Sequence, residues 1–150
     1  MGAFPSGVTV VTVWNGDAAL GATVSSFCSV ALEPPLLLVC LDRNNVVRDP
    51  IVEGGVFGVN ILAEGDQSLA RQFGSQPDTG RFANHPFYAQ EGEAPQLIEA
   101  SVFIHCKVET THPAGDHLIV VGRGVRIVHA KACTPLLYHK GSFPLLRSAL

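Results

Sequence analysis

The sequence is poor in charged residues and lacks the clusters that mark several common classes of binding protein. Charged residues make up 15% of the 150-residue chain, and 10 Lys and Arg against 13 Asp and Glu give a net charge of −3. No basic cluster occurs, which argues against nucleic acid, because its phosphates demand a positive stripe. Repeats, low-complexity tracts and apolar runs of membrane-spanning length are also absent. These absences favour one domain around one core, for which the chain is long enough.

The cysteines and histidines lack the spacing of metal sites. The 4 Cys residues form no C-x-x-C pair, and none of the 6 His residues lies two or four positions from another His. We therefore expect no metal. No positively charged segment followed by an apolar one opens the chain. We therefore expect a cytoplasmic protein with free thiols, and a disulfide stays open as the alternative.

Apolar residues, by contrast, are abundant and make up 47% of the chain. This share is high for an isolated monomer with so few charges, so we expect a partner chain or a ligand to cover part of the apolar surface. Two-fold assemblies dominate among oligomers. The composition therefore favours a homodimer.

Apolar and β-branched runs bounded by Gly, Pro and Asn predict a mainly β domain. The predicted strands cover residues 8–13, 23–27, 36–41, 56–62, 102–108, 117–129 and 136–139. The unbroken apolar run at 36–41 predicts a fully buried strand. Asn15-Gly16-Asp17 predicts a hairpin turn, and Gly122 and Gly124 predict a bulge in the long strand. Because strands and helices do not alternate, these elements favour an antiparallel barrel.

Two short helices and two connections complete the predicted domain. One helix is predicted at 42–53, where Gly54-Gly55 would end it, and the other at 65–73. Residues 112–116 predict a turn. Gly, Pro, Asp and Asn dominate much of 74–95, and loops of such length are usually functional or disordered.

Six blocks of the sequence, in order, resemble those of the flavin reductase-like family. The blocks are Phe4–Thr12, Ser25–Pro35, Phe57–Leu62, Leu69–Phe73, Gly115–His117 with Gly122, and Pro135–Gly141. The resemblance covers nearly the whole chain and implies an antiparallel Greek-key split β-barrel that binds FMN, with short helices. Relatives usually carry a helix ahead of the first block, so we expect that helix to be short or missing here.

The resemblance implies an NAD(P)H:flavin oxidoreductase, which reduces FMN or FAD by hydride transfer and supplies it to a separate monooxygenase. Two alternatives stay open: a flavoprotein that retains FMN as an electron carrier, and a flavin- or haem-binding module without turnover. The Gly115-Asp116-His117 block favours the reductase, because a binding module needs no nicotinamide platform. No G-x-G-x-x-G fingerprint is present, so the nicotinamide nucleotide would bind on the flavin itself.

The resemblance also implies a flavin site of hydroxyls and main-chain amides, which can hold polar groups without a formal charge. The candidate cofactor-binding residues are Thr23, Val24, Ser25, Ser26, Cys40, Leu41, Asp42, Arg43, Asn44, Asn45, Asn60, Ile61, Leu62, Arg81 and Phe143. Free amides are expected at 23–26, 42–45 and 60–62. Each group has a structural alternative: hydroxyls bonded to neighbouring strands, a capped helix start at 42–45, a solvated Arg81 and a core Phe143.

His117 is the candidate catalytic residue. The resemblance implies that it lies beside the flavin ring, on the side of the nicotinamide. Hydride transfer needs two stacked planar rings rather than a proton shuttle, so we expect His117 to act by positioning. Arg81 would reach the flavin phosphate, and Phe143 would pack against the nicotinamide nucleotide.

Overall fold

The computed structural model describes residues 2–74, 80–129 and 133–146. In chain order the elements are β1 (Ser6–Gly7), β2 (Thr9–Asn15), β3 (Ala18–Val24), β4 (Phe27–Ala31), β5 (Leu36–Asp42), α1 (Arg48–Gly54), β6 (Val56–Ile61), α2 (Gln67–Gly74), β7 (Phe87–Tyr88), β8 (Gln96–Leu97), β9 (Val102–Ala114), β10 (His117–His129) and β11 (Leu137–Tyr138). Residues 2–5 form a turn and no helix. Neither α1 nor α2 has the length and apolar character needed to cross a membrane.

Seven strands form one antiparallel sheet in the order β3-β2-β6-β9-β10-β5-β4. The edge strands β3 and β4 follow each other in the chain, and β3 contacts β5. The sheet therefore curls until its two edges approach each other. Only Ser25 and Ser26 join those edges, so the barrel is open along the break that these two residues cross. The predicted antiparallel barrel is confirmed.

Two clusters of buried apolar residues stabilise the fold. The larger cluster includes Val11, Val39 and Phe57 and fills the barrel. The smaller one includes Leu69 and Phe73 of α2, which pack against the outside of the sheet. Each fully buried side chain of this kind contributes about 1.5–3 kcal/mol relative to an exposed one. The short helix α2 is therefore held by its apolar face rather than by intrinsic helix propensity.

Gly122 allows the long strand β10 to pass close to the barrel core. The register of β10 against β9 shifts between Val121 and Gly122, and again between Gly124 and Arg126. A Cβ atom at position 122 would lie 2.4 Å from Cζ of Phe57, well inside the distance at which carbon atoms pack. The predicted bulge is confirmed, and close approach of a core ring explains the glycine.

The predicted strand at 23–27 is wrong, because the chain changes sheet edges in the middle of it. β3 ends at Val24 and pairs with β2, whereas β4 begins at Phe27 and pairs with β5. Ser25 and Ser26 belong to neither strand. Nothing in the hydroxyl-rich sequence marks a break between the two strands. The change of partner strand is therefore determined by the tertiary structure.

Strand β5 is half buried, which corrects the prediction of a fully buried strand. Leu37, Val39 and Leu41 are buried, and the residues between them are partly exposed. One face of β5 covers the barrel core and the other faces outward. Its apolar outward residues therefore mark a surface of the protein.

Three element boundaries also differ from the predictions. Helix α1 begins at Arg48 rather than at residue 42, although it ends as predicted with Gly55 at φ 70°. Helix α2 begins at Gln67 rather than at residue 65. Strand β9 continues through Pro113, so the chain turns only at Gly115 and Asp116. Beyond Lys107, β9 has no β6 neighbour, and a proline is tolerated where no ladder bond is lost.

The long connection predicted at 74–95 is in part ordered against the barrel. Residues 75–79 lie outside the described residues. Further along, Phe87 and Tyr88 of β7 pair with Gln96 and Leu97 of β8. The segment 93–97, which we call the 93–97 strap, makes most of the polar contacts that attach this connection to the sheet.

Candidate functional site

Ser26 ties the break in the barrel to strand β5. Its hydroxyl donates to the Cys40 carbonyl over 2.8 Å, and its own carbonyl accepts the Cys40 amide over 3.1 Å. Both hydrogen bonds lie within the protein. Both serines are exposed, but they differ in their contacts: Ser26 has a structural partner, whereas Ser25 borders a groove.

We call this depression the Ser25 groove; it has a volume of about 260 Å³. Its lining consists of Val8, Thr23, Ser25, Ala70, Gly74, Tyr138 and Phe143. The Thr23 hydroxyl donates to the Ala70 carbonyl of α2 over 2.6 Å, so the lone pairs of its oxygen face other partners. The Tyr138 and Phe143 rings lie 5.7 Å apart. A planar ligand with polar edges fits such a lining, because the groove combines aromatic faces with hydroxyls.

The segment after β5 forms a tight turn rather than a helix start with free amides. The Asn44 amide donates to Oδ1 of Asp42 over 2.8 Å, and the Asn45 amide donates to the Asp42 carbonyl over 2.9 Å. The Arg43 amide donates to the Asp116 carbonyl over 3.0 Å. The expectation of free amides at 42–45 is corrected, because folding supplies all three with acceptors. The exposed side chains of Arg43 and Asn44 are what this turn offers to a ligand.

His117 begins β10 opposite Asp42, and its ring is oriented by the preceding residue. Nδ1 of His117 lies 2.8 Å from Oδ1 of Asp116. The hydrogen bond with His117 is the largest of the causes that hold the pKa of the Asp116 carboxyl below its usual value. Because Nδ1 is engaged, Nε2 is the nitrogen that His117 can offer to a ligand.

A second groove contains His117 and is distinct from the Ser25 groove. Arg43, Arg48, Pro113, Gly115, Asp116, His117 and Leu118 line it, and its volume is about 280 Å³. Strand β5 connects the two grooves, since Cys40 bonds to Ser26 and Asp42 lies opposite His117. One ligand atom each of Asp42, Asp116 and His117 lies within 4.8 Å of the others. Exposed acidic groups are often arranged in this way without a bound ion, so the absence of a metal stays a prediction.

Four of the predicted cofactor-binding residues have polar groups that are bonded within the protein; Asn60, Leu62 and Arg81 are buried, and Ile61 is partly buried. Asn60 is fully buried; its Nδ2 donates to the Val10 carbonyl over 3.0 Å, and its Oδ1 accepts the Leu97 amide over 2.8 Å. Leu62 is also buried, and its amide donates to Val8. The carbonyl of Ile61 accepts two hydrogen bonds from Ser101. These hydrogen bonds hold the fold together, so a flavin contact by Asn60, Ile61 or Leu62 stays a prediction.

Arg81 is the fourth of these residues, and it is neither a solvated loop residue nor an exposed phosphate ligand. Only 4% of it is exposed, and its Nη1 donates to the Gly21 carbonyl of β3 over 2.7 Å. The buried side chains of Val24 and Leu41 likewise face the core, so these two residues can present only their main chain to a ligand.

Four residues of the Ser25 groove were not identified as candidates from the sequence, namely Val8, Ala70, Gly74 and Tyr138, and a fifth, Arg71, contacts its wall. Tyr138 and Ala70 line the Ser25 groove, and the guanidinium of Arg71 lies 5.0 Å from the Phe143 ring centroid. Tyr138 lies in the block 135–141, and Ala70 and Arg71 lie in the block 69–73. The signal was present in those blocks, but nothing local shows that α2 and β11 meet.

Comparison with known proteins identifies the family. The model of the flavin reductase like domain matches residues 1–147. The chain belongs to the flavin reductase-like family. The resemblance drawn from the six sequence blocks is thereby confirmed, and the match covers all the residues that line the two grooves of this flavin reductase-like domain.

Relatives of this flavin reductase-like domain include proteins named as reductases. The chain is 33% identical over 143 residues to the flavin-dependent monooxygenase reductase subunit HsaB of Rhodococcus jostii, and covers 73% of that protein with 95% of its own length. It is 37% identical over 147 residues to the flavin reductase (NADH) of Kitasatospora aureofaciens, with 95% of this chain and 76% of that protein covered.

Solved structures share the fold over nearly the whole chain. The NADH:FAD oxidoreductase SgcE6 of Streptomyces globisporus, in complex with NAD and FAD fragments, matches with a TM-score of 0.90 and 31% identity. The match covers 97% of this chain and 88% of that one. The fold is therefore the split barrel of flavin reductases, as predicted.

Proposed function

We propose that this protein is an NADH-dependent flavin reductase that reduces FMN or FAD by hydride transfer and releases it to a separate monooxygenase. One observation carries the proposal: the barrel breaks at Ser25 beside a groove that is lined by hydroxyls and by two neighbouring aromatic rings. The names of the relatives, a flavin reductase (NADH) and a monooxygenase reductase subunit, support the same function.

The side chains at the break would hold and orient the two ring systems. Ser25 and Thr23 would contact the polar edge of the flavin, and Phe143 and Tyr138 would provide an apolar wall for the nicotinamide nucleotide. When bound, the flavin would supply the hydride acceptor. His117, whose ring Asp116 orients, would position the donor through Nε2, and Arg43 and Asn44 would bind the ribityl or phosphate groups.

The decisive experiment measures NADH oxidation by the purified protein with and without added free flavin. A reductase that treats flavin as a substrate should oxidise NADH at a rate that rises with FMN or FAD and then saturates. FMN that co-purifies and supports electron transfer without added flavin would indicate the electron carrier instead. Binding of flavin without NADH oxidation would indicate a non-catalytic module. The same assay with NADPH decides whether that nucleotide is also used.

We also propose that the protein is a homodimer and acts in the cytoplasm. Several large apolar side chains on β4, the loop after it and the outer face of β10 are exposed: Val30 at 49%, Leu32 at 90%, Val125 at 47% and Ile127 at 54%. A second copy would cover this surface. The four cysteines are free thiols, which suits a reducing compartment. Sedimentation at micromolar concentration should give a dimer, and a monomer there would contradict the proposal.

A further inference from the structure

Arg71 is a cation on the rim of the Ser25 groove. It is an exposed residue of α2, the helix whose Ala70 and Gly74 line that groove. Its guanidinium carbon lies 5.0 Å from the centroid of the Phe143 ring, and this ring is part of the groove wall. Stacking on an aromatic face holds a guanidinium in place. The guanidinium is therefore held against a ring of the groove wall and is not spread over many side-chain conformations.

The guanidinium of Arg71 has no carboxylate partner among the described residues. Other arginines do: Arg48 pairs with Asp49, Arg123 with Glu109 and Arg126 with Glu93. Within the described part of the chain, the guanidinium of Arg71 contacts the ring of Phe143. An arginine fork binds phosphate through two parallel hydrogen bonds, so the unused donors of Arg71 match a phosphate in charge and in geometry.

The lining of the Ser25 groove favours an anion as well. Among the described residues, this lining contains hydroxyl, aromatic and aliphatic side chains and no carboxylate. None of these described lining residues would repel a phosphate that enters beside Thr23 and Ser25. Those two side chains offer oxygen atoms that can also hydrogen-bond to a phosphate group or to the sugar next to it.

We propose that Arg71, held by Phe143, binds a phosphate of the nucleotide that occupies the Ser25 groove and so sets the preference for phosphorylated ligands. The proposal rests on the proposed function and adds a specificity-determining residue to it. The phosphate has three sources: that of FMN, the pyrophosphate common to NADH and NADPH, or the 2′-phosphate of NADPH. Each source gives a different result in the experiment below.

The experiment compares Arg71→Gln and Arg71→Lys with the wild-type protein. Dissociation constants are measured for FMN and for riboflavin, which lacks the phosphate, and KM is measured for NADH and NADPH at saturating flavin. Arg71→Gln should weaken one phosphorylated ligand about tenfold, and Arg71→Lys should weaken it less. Loss for FMN alone identifies the flavin phosphate, equal loss for both nicotinamide nucleotides identifies the pyrophosphate, and loss for NADPH alone identifies the 2′-phosphate.

Two further variants test the role of the Phe143 ring and control for the general loss of a positive charge. Phe143→Leu should reproduce part of the phosphate-dependent loss, because Arg71 would lose the ring that holds it. Lys107→Gln removes an exposed cation from β9 that lines neither groove, and it should leave all the constants unchanged. A phosphate contact also predicts that added salt weakens the affected ligand less in Arg71→Gln than in the wild type.

Two outcomes would overturn the proposal. Values within twofold of wild type for every ligand would show that Arg71 contacts no phosphate. An equal loss for FMN and riboflavin, without any nicotinamide effect, would show that Arg71 acts only by packing on Phe143. Failure of the proposed function is distinguishable, because it would appear in the wild-type protein as an absence of flavin-dependent NADH oxidation.

Discussion

Two polar regions of the molecule, the 93–97 strap and the break at Ser25, use similar residue types in opposite ways. At the strap, Thr12 Oγ1 donates to the Pro95 carbonyl over 2.5 Å, and Trp14 Nε1 donates to the Glu93 carbonyl over 2.9 Å. Both carboxylate oxygens of Glu93 accept from Arg126. Thr12 is fully buried, and its hydrogen bond lies within the protein.

The break has the opposite character. Ser25 is exposed beside its groove, Arg71 stacks on a ring without a carboxylate partner among the described residues, and His117 keeps one ring nitrogen for a ligand. Buried polar groups nearly always have partners inside a fold. The comparison teaches that a polar residue type does not by itself mark a site in this protein; the candidate site is where polar groups keep unused hydrogen-bonding capacity beside a groove.

Asn60→Leu should have the largest effect, and only on stability. The substitution removes three hydrogen bonds of a fully buried side chain and leaves the Leu97 amide without its acceptor. A buried unsatisfied group costs roughly 1–3 kcal/mol, so we expect the free energy of unfolding to fall by about 3 kcal/mol. Urea titration measures it. A weakened flavin affinity in a variant of normal stability would instead make Asn60 a ligand.

Ser25→Leu should have the next largest effect, and only on binding. A bulky side chain at the rim of the groove should weaken flavin binding by about a hundredfold or more, whereas Ser25→Ala should cost only a hydrogen bond of about 1 kcal/mol. Fluorescence quenching of the flavin measures both. Ser26→Ala is the matched control: because Ser26 bonds to Cys40, its loss should appear in stability more than in affinity. If Ser25→Leu binds flavin normally, the flavin does not occupy this groove.

His117→Ala should have a moderate effect on the nicotinamide side. We expect flavin reduction by NADH to slow about tenfold with flavin affinity nearly unchanged, because one positioning contact is lost. Asp116→Asn should cause a smaller loss of the same kind, since it weakens the hydrogen bond that orients the ring. Steady-state kinetics at saturating flavin measure both. Unchanged rates in His117→Ala would return this residue to a structural role.

The smallest of the four effects concerns pH at the strap. His105 is 4% exposed, and its Nδ1 accepts from the Ala94 amide over 3.4 Å. Burial is the largest cause that lowers the pKa of His105; Arg126 and Lys107 act in the same direction, and Glu93 opposes them. The unfolded chain therefore takes up the proton first as the pH falls. The contribution of neutral His105 to the free energy of unfolding should be fully present above about pH 6.5. It should decline as the pH falls from there toward the folded-state pKa.

Urea titrations between pH 7.5 and 5.5 would show that decline. His105→Gln should flatten it, because the variant has no imidazole to protonate. Glu93, whose pKa is lowered chiefly by its hydrogen bond to Arg126, loses its share of stability only at still lower pH, so the two contributions are separable. Parallel slopes for the wild type and His105→Gln over this range would rule out His105 as the cause.

Much of the fold was predictable because local chemistry decides it. The hairpin at Asn15–Asp17 joins β2 to β3, with Gly16 at φ 58°. Gly55 adopts the left-handed conformation that ends α1, and Gly122 lies at the bulge. In each case the backbone conformation or the close approach favours glycine, so the glycine in the sequence predicts the local structure.

The site was predictable only in part. Thr23, Ser25 and Phe143 do border one groove, and Arg43 and His117 border the other. Asn60 and Arg81 are also polar and lie in or near the resembling blocks, but both are buried and bonded to the main chain. Sequence shows which side chains can donate or accept; it does not show which acceptors folding brings within 3 Å.

By itself, the sequence determined the mainly β, antiparallel character of this protein, its turns and its family, because periodicity, glycine positions and ordered blocks are local properties. Tertiary structure alone decided that the chain leaves one sheet edge at Val24 and joins the other at Phe27. It also decided that Arg71 contacts Phe143 and that the side chain of Asn60 hydrogen-bonds to the 93–97 strap. The physical reason is the same for all three: pairing and burial depend on groups far apart in the chain, and only the folded barrel brings them together.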